Sequence, residues 1–362
     1  MLLGGGHAHV HVLQDLARQP MPGAQVTLVS PFRTALYSGM VPGLVAGRFA
    51  TDDCSIALAT LAARAHVSFV DGSATALNAA ARSVTIARPD GSTQQFDYDT
   101  LSVDTGGVID RETIPGAREH ALFVRPVEVF VQLLDRLLEL VQAQPRSVVV
   151  VGGGAAGVEL ALALARRIAG AGHVSLVTGG PAPLASYPPP VRRRAARALK
   201  RAGITVLEEP CREISASHVQ LGGGARLACD APVLAIGTRA PTWLAASGLA
   251  LDEAGFLATG PTLQSLSHPE VFAAGDVAAR PDAPRPRSGV YAVRAGAPLA
   301  LNLRRFTAGG ALETYRPQPR SLNLIACGDG RAIGVWGGWS FEGRWVGAWK
   351  DRIDRAFVAR FR

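Results

Sequence analysis

VVVVGGGAAGVE, residues 148–159, joins four consecutive valines to a glycine-rich turn. A run of β-branched residues is typical of a strand that is buried on both faces of a parallel sheet. Glycines let the chain turn tightly into a helix whose N-terminus faces a diphosphate. The pattern therefore predicts a strand, a turn and a helix that bind a dinucleotide, with residues 152–157 as the second glycine loop of the chain.

Two other segments carry related patterns. Residues 2–9 are LLGGGHAH, in which residues 4–9 form the first glycine loop, and residues 271–276 are VFAAGD. One such loop is a weak indication, because glycine-rich turns also serve compact packing. Two loops about one domain length apart, followed by a strand that ends in Gly275-Asp276, predict two dinucleotides held face to face, a flavin and a nicotinamide.

The first glycine loop departs from the usual fingerprint. His9 stands in the place of its third glycine, so we expect the following helix to pack less closely on its strand. Few residues precede Gly4, so either the first strand is short or the natural chain starts upstream of Met1. His7 and His11 share a helix face, but no third ligand type is nearby, and we expect no metal site.

Composition narrows the class of protein. The chain has 362 residues, 48% of them hydrophobic, which fits two or three α/β domains. No apolar run is long enough to span a membrane and no signal peptide precedes the first strand, so we expect a cytoplasmic protein or one bound to the cytosolic face of the inner membrane. The net charge is +8, but the arginines are scattered without interleaved aromatic residues, which argues against nucleic-acid binding.

The four cysteines show no redox or zinc spacing. We expect free thiols in a reducing compartment and no catalytic disulfide. The four positions are Cys54, Cys211, Cys229 and Cys327.

The order of the motifs predicts the domain organisation. The fold class is α/β, with two Rossmann-like dinucleotide-binding domains and a small α+β C-terminal domain. The FAD-binding domain comprises residues 1–112 and 242–296, and the NAD(P)H-binding domain, residues 113–241, is inserted in it. Residues 297–362 form the C-terminal domain, which we expect to provide an interface.

An acid usually ends the second strand of each dinucleotide unit, where it binds a ribose. Ser30 stands there in the first unit, and its hydroxyl can still bind the ribose. Thr178 follows the corresponding strand of the second unit. The nearby Arg192–Arg194 would accommodate the extra phosphate of NADPH or form a solvated helix face, and the sequence leaves both open.

Two acids are candidates for direct roles. Asp276 is well placed to bind the ribityl hydroxyls of a flavin, with Gly275 allowing close backbone approach; its alternative role is a helix N-cap. Glu159 lies near the start of a helix, where an acid complements the helix dipole. The other interpretation, which we adopt for Glu159 as the catalytic residue, is a role at the contact of nicotinamide and flavin.

The C-terminal segment is basic and aromatic. The tail predicts a helix with one apolar stripe, and such a helix could lie on an anionic membrane or dock on its own domain or on the partner of a homodimer. The stripe consists of Val346, Trp349, Ile353, Phe357 and Phe361, with Lys350, Arg352, Arg355, Arg360 and Arg362 placed largely elsewhere.

The chain resembles the pyridine nucleotide-disulfide oxidoreductase superfamily, and within it type II NADH dehydrogenases and sulfide:quinone reductases. More narrowly, it resembles NADH dehydrogenase-like proteins associated with bacterial selenophosphate synthetase. The strings that carry this resemblance are LLGGGHAHVHVL, LYSGMVPG, GVYAVRAGAPLALNLR and WKDRIDRAF.

The resemblance implies two cofactors and an acceptor pocket. It places the pocket near Gly289–Pro298, where Tyr291, Arg294 and Ala295 stand instead of the glutamine-rich pattern of the quinone enzymes. Sulfide oxidation is disfavoured because paired cysteines are not evident. The residues predicted to bind FAD are Gly4, Gly6, His7, Ser30, Pro42, Gly275 and Asp276, and those predicted to bind NAD(P)H are Gly152, Gly154, Gly157 and Glu159.

We therefore predict an FAD-dependent NAD(P)H dehydrogenase. A nicotinamide passes hydride to FAD, and electrons move on to a quinone-like or other small-molecule acceptor. The alternatives are a reductase serving selenium or sulfur metabolism and a flavin-binding redox sensor with negligible turnover. The sequence leaves open the acceptor, the choice between NADH and NADPH, and the oligomeric state.

Overall fold

The first part of the chain builds one parallel sheet and a small antiparallel sheet. The structure is a computed structural model that describes residues 1–180 and 182–362. Strand β1 lies between β2 and β9 and runs parallel to both. The elements are β1 (Leu2–Leu3), α1 (His7–Arg18), β2 (Thr27–Ser30), β3 (Ala35–Leu36), α2 (Val41–Val45), β4 (Ser55–Ile56), α3 (Leu58–Arg64), β5 (Ser68–Asp71), β6 (Ser73–Asn78), β7 (Ser83–Ala87), β8 (Thr93–Asp97) and β9 (Leu101–Val103).

The middle of the chain builds a second parallel sheet around the four valines. Strand β11 pairs in parallel with β12 on one side and β17 on the other, and its valines are buried. The elements are α4 (Ala117–His120), β10 (Leu122–Phe123), α5 (Val127–Ala143), β11 (Arg146–Val151), α6 (Ala155–Arg167), β12 (Gly172–Val177), α7 (Pro189–Arg201), β13 (Thr205–Leu207), β14 (Cys211–Ile214), β15 (His218–Leu221), β16 (Arg226–Ala228) and β17 (Ala231–Leu234).

The chain then returns to the first sheet and ends in a third unit. The elements are β18 (Leu257–Ala258), β19 (Val271–Ala273), β20 (Ala278–Ala279), α8 (Gly289–Thr307), β21 (Leu322–Ala326), β22 (Ala332–Trp336), β23 (Trp339–Gly343) and α9 (Arg344–Ala359). Strands β21, β22 and β23 form an antiparallel sheet of their own.

Sheet order confirms the predicted fold class. The first sheet has the order β19-β9-β1-β2-β5 and the second has the order β10-β17-β11-β12-β13. Because β19 pairs in parallel with β9 across the whole second unit, the second unit is inserted in the first. Helix α8 runs continuously across residue 296, where we predicted a domain boundary. The three predicted domain boundaries, after residues 112, 241 and 296, stay predictions.

Helix α1 is held between the first sheet and α8. The buried residues of α1 include Val10, Leu13 and Leu16, which recur at helical spacing. At Gly296 of α8, an added Cβ would lie 2.6 Å from the imidazole Cδ2 of His11, so the missing side chain lets the two helices approach. This packing fixes the N-terminus of α1 at the carboxyl edge of the first sheet.

Candidate functional site

A cavity of about 500 Å³ opens at the carboxyl edge of the first sheet. In open α/β sheets, ligands bind at this edge, where the strand order reverses. Here the reversal lies at β1, because β2 continues to one side of it and β9 to the other. Residues that line the cavity include Gly4, Gly6, His7, Ser30, Asp104, Arg125, Asp276 and Gly289.

The first glycine loop forms one wall of this cavity. Gly4 has φ +97°, and a Cβ on it would collide with the carbonyl of Asp104. A Cβ on Gly6 would collide with the carboxyl group of Asp104. Helix α1 begins at His7, and its N-cap residue Gly6 has no side chain that could cap it. The loop therefore leaves space at the helix N-terminus for a diphosphate, as the FAD prediction requires.

His9 occupies the third glycine position without leaving a gap. Its ring is fully buried, with Nδ1 2.6 Å from the carbonyl oxygen of Gly4 and Nε2 2.8 Å from Oγ of Ser102. Burial lowers the pKa of His9 to about 4, so the ring is neutral at physiological pH. The imidazole ties the helix to both neighbouring strands in the space that glycine would leave for close packing.

Asp104 is a site residue that the sequence analysis missed. It follows β9, and its Oδ2 accepts hydrogen bonds from the N–H groups of Ala8 (2.8 Å) and His9 (2.9 Å). Burial raises the pKa of Asp104 to about 8, although these two hydrogen bonds lower it. A charged residue directly after a buried strand was the available signal, but the partners of Asp104 lie about 96 residues away in the chain.

Asp276 lies in the cavity with a cationic partner. Nη2 of Arg125 is 3.0 Å from Oδ2 of Asp276. Gly275 has φ +74°, and a Cβ on it would lie 2.5 Å from Oδ1 of Asp104. Arg125, which the sequence analysis also missed, lies between β10 of the second sheet and α5. It therefore connects the insertion to the candidate flavin site, while ribityl binding by Asp276 stays a prediction.

The other predicted flavin residues have different surroundings. His7 lines the cavity, and burial lowers its pKa to about 4, with Arg125 adding to the effect. Ser30 also lines it, but its Oγ donates to the carbonyl oxygen of Phe32 at 2.9 Å, so the hydroxyl proton already has a local partner. Pro42 is buried within α2. Flavin binding by these three residues stays a prediction.

The second glycine loop repeats the geometry of the first. Gly152 has φ +135°, and a Cβ on it would collide with the carbonyl of Ala235. A Cβ on Gly157 would collide with the carbonyl of Gly152, so helix α6 approaches β11 closely. Gly154 is exposed and has no heavy atom within 4 Å of its Cβ position among the described residues. This loop fits the diphosphate of a second dinucleotide.

Glu159 contacts the C-terminal sheet. Its Oε1 accepts a hydrogen bond from the N–H group of Ala326 at 2.7 Å. Burial raises the pKa of Glu159 to about 7, and the nearby Lys350 opposes this shift. The side chain of Glu159 therefore joins α6 to the C-terminal sheet. Its catalytic role stays a prediction.

Glu159 belongs to a polar cluster with Tyr37, Lys350 and Asp354, of which Lys350 and Asp354 are buried. Nζ of Lys350 donates to Oδ2 of Asp354 (2.6 Å) and to the carbonyl oxygen of Gly39 (2.6 Å). Burial raises the pKa values of Asp354 and Tyr37. Residues of three units thus meet here, next to Ser38, which lines the cavity.

The C-terminal helix differs from the predicted stripe. Val346, Phe357 and Phe361 are buried, whereas Trp349 and Ile353 are partly exposed. Phe357 packs on the first domain, because its ring stacks on that of Tyr37 with centroids 4.4 Å apart. The stripe is therefore divided between a docked face and a surface.

Lys350 also corrects the predicted pattern, since we had placed it among the basic residues outside the stripe. It is 7% exposed and paired with Asp354. A buried lysine requires such a partner, and the sequence spacing of four residues was the available signal. α9 is thus a docked helix whose basic face is smaller than predicted.

One of the arginines near the second unit is engaged elsewhere. Nη1 of Arg194 is 3.5 Å from Oε1 of Glu342, and its Nε donates to Oγ of Ser340 at 3.3 Å. Arg192 and Arg193 lack such contacts among the described residues. At the end of β12, Oγ1 of Thr178 donates to the carbonyl oxygen of Gly180 at 2.9 Å. The site leaves the choice of nicotinamide open.

The remaining sequence predictions concern the acceptor, the thiols and metals. The predicted acceptor segment forms the first half of α8, where Gly289 and Ala292 line the cavity. Burial raises the pKa of the Cys327 thiol to about 12, and the other three thiols shift in the same direction. Within residues 1–180 and 182–362, no group of three or more His, Cys, Asp or Glu side chains is placed to hold a metal ion.

Comparisons with known proteins agree with this geometry. A profile of the family described as pyridine nucleotide-disulphide oxidoreductase matches residues 1–296. The demethylphylloquinone reductase NdbB of Synechocystis sp. is 26% identical over 344 residues, which cover 92% of this chain and 85% of that protein.

Solved structures share the fold. The NDH2 of Plasmodium falciparum, solved in complex with NADH, superposes with a TM-score of 0.83 at 14% identity and covers 99% of this chain and 96% of its own. The sulfide:quinone oxidoreductase of Aquifex aeolicus gives a TM-score of 0.81 at 18% identity, with 100% of this chain and 90% of its own covered.

Proposed function

The chain belongs to the pyridine nucleotide-disulphide oxidoreductase family, and on that premise we propose that it is an FAD-dependent NAD(P)H dehydrogenase that reduces a quinone-like acceptor. The observation that carries the proposal is the pair of glycine loops, in each of which an added Cβ would collide with the backbone. Two loops of this kind on two joined sheets fit two dinucleotides. FAD fits the first loop, because the cavity of about 500 Å³ lies there.

Bound FAD would supply the redox chemistry, accepting hydride from the nicotinamide and giving electrons to the acceptor. The residues of the chain bind and orient the two partners. The N-terminus of α1 faces one diphosphate and that of α6 faces the other. We assign Asp276 to the ribityl chain of FAD, with Arg125 holding its carboxylate in place. Orientation is the main contribution of the protein.

Glu159 provides a proton for the acceptor. Reduction of a quinone consumes protons, and a general acid is most effective when its pKa lies near the working pH. Burial raises the pKa of Glu159 to about 7, which meets this condition. Lys350 is near enough to oppose the pKa shift of Glu159, and it donates to the carbonyl oxygen of Gly39, the neighbour of the cavity residue Ser38.

The name of the cyanobacterial relative supports a quinone-like acceptor, since that protein is called a demethylphylloquinone reductase. The link to selenophosphate synthetase stays a prediction. The raised pKa values of the thiols do not favour a dithiol reaction with selenium or sulfur compounds.

Anaerobic reduction of the yellow protein tests the proposal. NADH or NADPH should bleach the flavin, and short-chain quinones should then restore its colour over many turnovers. Oxidised selenium compounds serve as the comparison acceptors. Slow bleaching followed by a long-lived charge-transfer band, without repeated turnover on any acceptor, would instead identify a redox sensor.

The C-terminal unit presents an exposed aromatic surface, defined by Trp336, Trp339, Trp345 and Trp349. Trp339 at the β22–β23 turn is 82% exposed. Arg344 and Arg352 are exposed nearby on α9. Tryptophans beside basic residues suit the interface of an anionic membrane, so we propose peripheral attachment through this surface. No helix in the two described ranges is long and apolar enough to cross a membrane.

Vesicle co-sedimentation tests the attachment. The protein should pellet with vesicles that contain anionic lipid, and Trp339→Ser should release it into the supernatant. Leu266→Ser is the matched control, because Leu266 is 59% exposed but lies outside the aromatic surface. Equal recovery of the three proteins in the supernatant would contradict the proposal.

The predicted homodimer stays a prediction.

A further inference from the structure

Asp104 places a carboxyl group inside the first glycine loop. Its Oδ2 accepts hydrogen bonds from the N–H groups of Ala8 and His9 at 2.8 and 2.9 Å. Its Oδ1 faces Gly275, where an added Cβ would lie 2.5 Å away. Asp104 is 2% exposed and lines the cavity. The acid thus uses N–H groups that a helix start normally offers to a bound anion.

A diphosphate in the same loop would meet this carboxyl group at close range. Two negative groups that share a site cannot both ionise without a large electrostatic cost. Burial already raises the pKa of Asp104 to about 8, and Asp276 adds to the shift. A bound diphosphate would act in the same direction as Asp276, because it is also an anion.

We propose that Asp104 binds FAD in its protonated form and donates a hydrogen bond to the diphosphate, so that FAD takes up one proton when it binds to protein in which Asp104 is ionised. This inference rests on the placement of FAD in the first glycine loop. The charges balance, since the ionised carboxylate and a proton from water give the neutral acid. No bond of the cofactor changes.

Other charged groups around Asp104 come from each element packed against it. On α1, His7 and His9 have pKa values that burial lowers to about 4, so both rings stay neutral in the pH range of the test. After β19, Asp276 is paired with Arg125 at 3.0 Å. Of His7, His9 and Asp104, only Asp104 has a pKa that is shifted to near 8.

Dissociation of FAD from the holoprotein tests the inference. The holoprotein is diluted between about pH 6.5 and about pH 9.5, and free FAD is measured by its fluorescence. The dissociation constant of the unaltered protein should be constant below pH 8 and rise about tenfold per pH unit above it. Asp104→Asn should remove the pH dependence, because the amide keeps the shape of the acid without its charge.

Two controls give the result its meaning. Asp97→Asn changes an exposed acid on β8 and should keep the slope of the unaltered protein. Asp276→Asn should also keep it, although FAD binds more weakly. A flat profile for the unaltered protein, or an unchanged slope in Asp104→Asn, would overturn the inference.

Calorimetry covers the case in which Asp104→Asn does not fold. FAD binding to the unaltered apoprotein at about pH 9, measured in two buffers of different ionisation enthalpy, should show uptake of close to one proton. No uptake would overturn the inference. Gly6→Ala separates this result from a failure of the FAD placement, since unchanged FAD affinity in that variant would count against the placement itself.

Discussion

The two glycine loops share one framework but differ at two matched positions. In the first, Gly4 lies against the carbonyl of Asp104, and in the second, Gly152 lies against the carbonyl of Ala235. Asp104 and Ala235 therefore occupy equivalent places, each just after the strand that neighbours the loop strand. An acid stands in one loop and a methyl group in the other.

The third glycine position differs in the same direction. Gly157 leaves no space for a Cβ, whereas His9 at the matched position carries a whole imidazole. Looser packing of α1 than of α6 on its strand, which the missing glycine predicts, stays a prediction. The first loop is filled with polar side chains of the protein, while the second relies on close backbone packing.

This difference suits two modes of binding. A cofactor that stays bound can share its site with a buried side chain that changes its protonation state on binding, because this change happens only once. A substrate that binds and leaves in each turnover suits a site made of backbone, because no side chain then has to take up or release a proton in every cycle. We therefore expect changes in the two loops to have separable effects.

The largest effect should come from adding a methyl group to one glycine of each loop in separate variants. Gly6→Ala puts a methyl group into the Asp104 carboxyl group, and Gly157→Ala puts one into the Gly152 carbonyl. We expect Gly6→Ala to lose most bound FAD. Gly157→Ala should keep FAD but slow its reduction by NAD(P)H by about a hundredfold or more, since backbone cannot yield cheaply.

The flavin absorbance of the purified variants and stopped-flow reduction measure the two losses. Dithionite should still reduce the flavin in Gly157→Ala. Gly338→Ala, at an open position of the β22–β23 turn, is the matched control and should behave like the unaltered protein. Loss of FAD from Gly157→Ala would show that the loops are not separable.

Ala235→Asp should make the second loop resemble the first. The new carboxyl group would compete with the diphosphate of NAD(P)H for the N-terminus of α6, as like charges repel. We expect KM for the nicotinamide to rise about tenfold near pH 9, one unit above the pKa of the matching Asp104, while the FAD content is unchanged. Steady-state kinetics with a quinone acceptor measure this, and an unchanged KM would argue against the equivalence of the two positions.

The sequence was sufficient for the framework of both loops. Valines 148–151 predict a buried strand, and the glycines after them permit a turn that few other residues can adopt. Strand, turn and helix could therefore be predicted. Asp104 could not, because its role depends on N–H groups of α1 that only the folded sheet brings near. Composition describes Asp104 only as a charged residue in a turn.

The C-terminal helix illustrates a second limit. Its apolar stripe agreed with a membrane surface and with a docked helix, and nothing in the periodicity separates a lipid from a protein partner. Phe357 and Lys350 are buried against the first domain, so the face of α9 that carries them is docked on the protein. The domain order was predictable, since β19 has to rejoin the first sheet after the insertion.

Glu159→Gln tests the role of the contact between α6 and the C-terminal unit, which matches a contact of α1. His11 and Glu159 stand at equivalent places, and the ring of His11 contacts that of Phe361, just after α9, edge to face with centroids 5.0 Å apart. The second belongs to the polar cluster with Lys350. We expect the variant to slow acceptor turnover about three- to tenfold, which is less than the roughly hundredfold or more typical of general acid–base catalysis. Flavin reduction by NADH should change less than about twofold.

The pH profile identifies the cause. Because the pKa of Glu159 is raised to about 7, the protonated donor is present below pH 7 and is lost as the pH rises above it. Turnover of the unaltered protein should therefore fall above pH 7, whereas the profile of Glu159→Gln should be flat there. A parallel fall in both proteins would assign the proton to another group.

The smallest effect should come from Arg194→Ala. The second loop lacks the acid that usually binds the ribose of NADH, and the arginines of α7 are the candidates to bind the extra phosphate of NADPH. Arg194 is held by Glu342 and Ser340 of the C-terminal sheet rather than directed to the end of β12. Its removal should change the ratio of kcat/KM values for NADPH and NADH by less than about twofold. Arg193→Ala removes an exposed arginine of the same helix and tests whether that residue binds the extra phosphate of NADPH. A large loss of NADPH activity in Arg194→Ala alone would mean that this guanidinium leaves Glu342 for the phosphate when the nicotinamide binds.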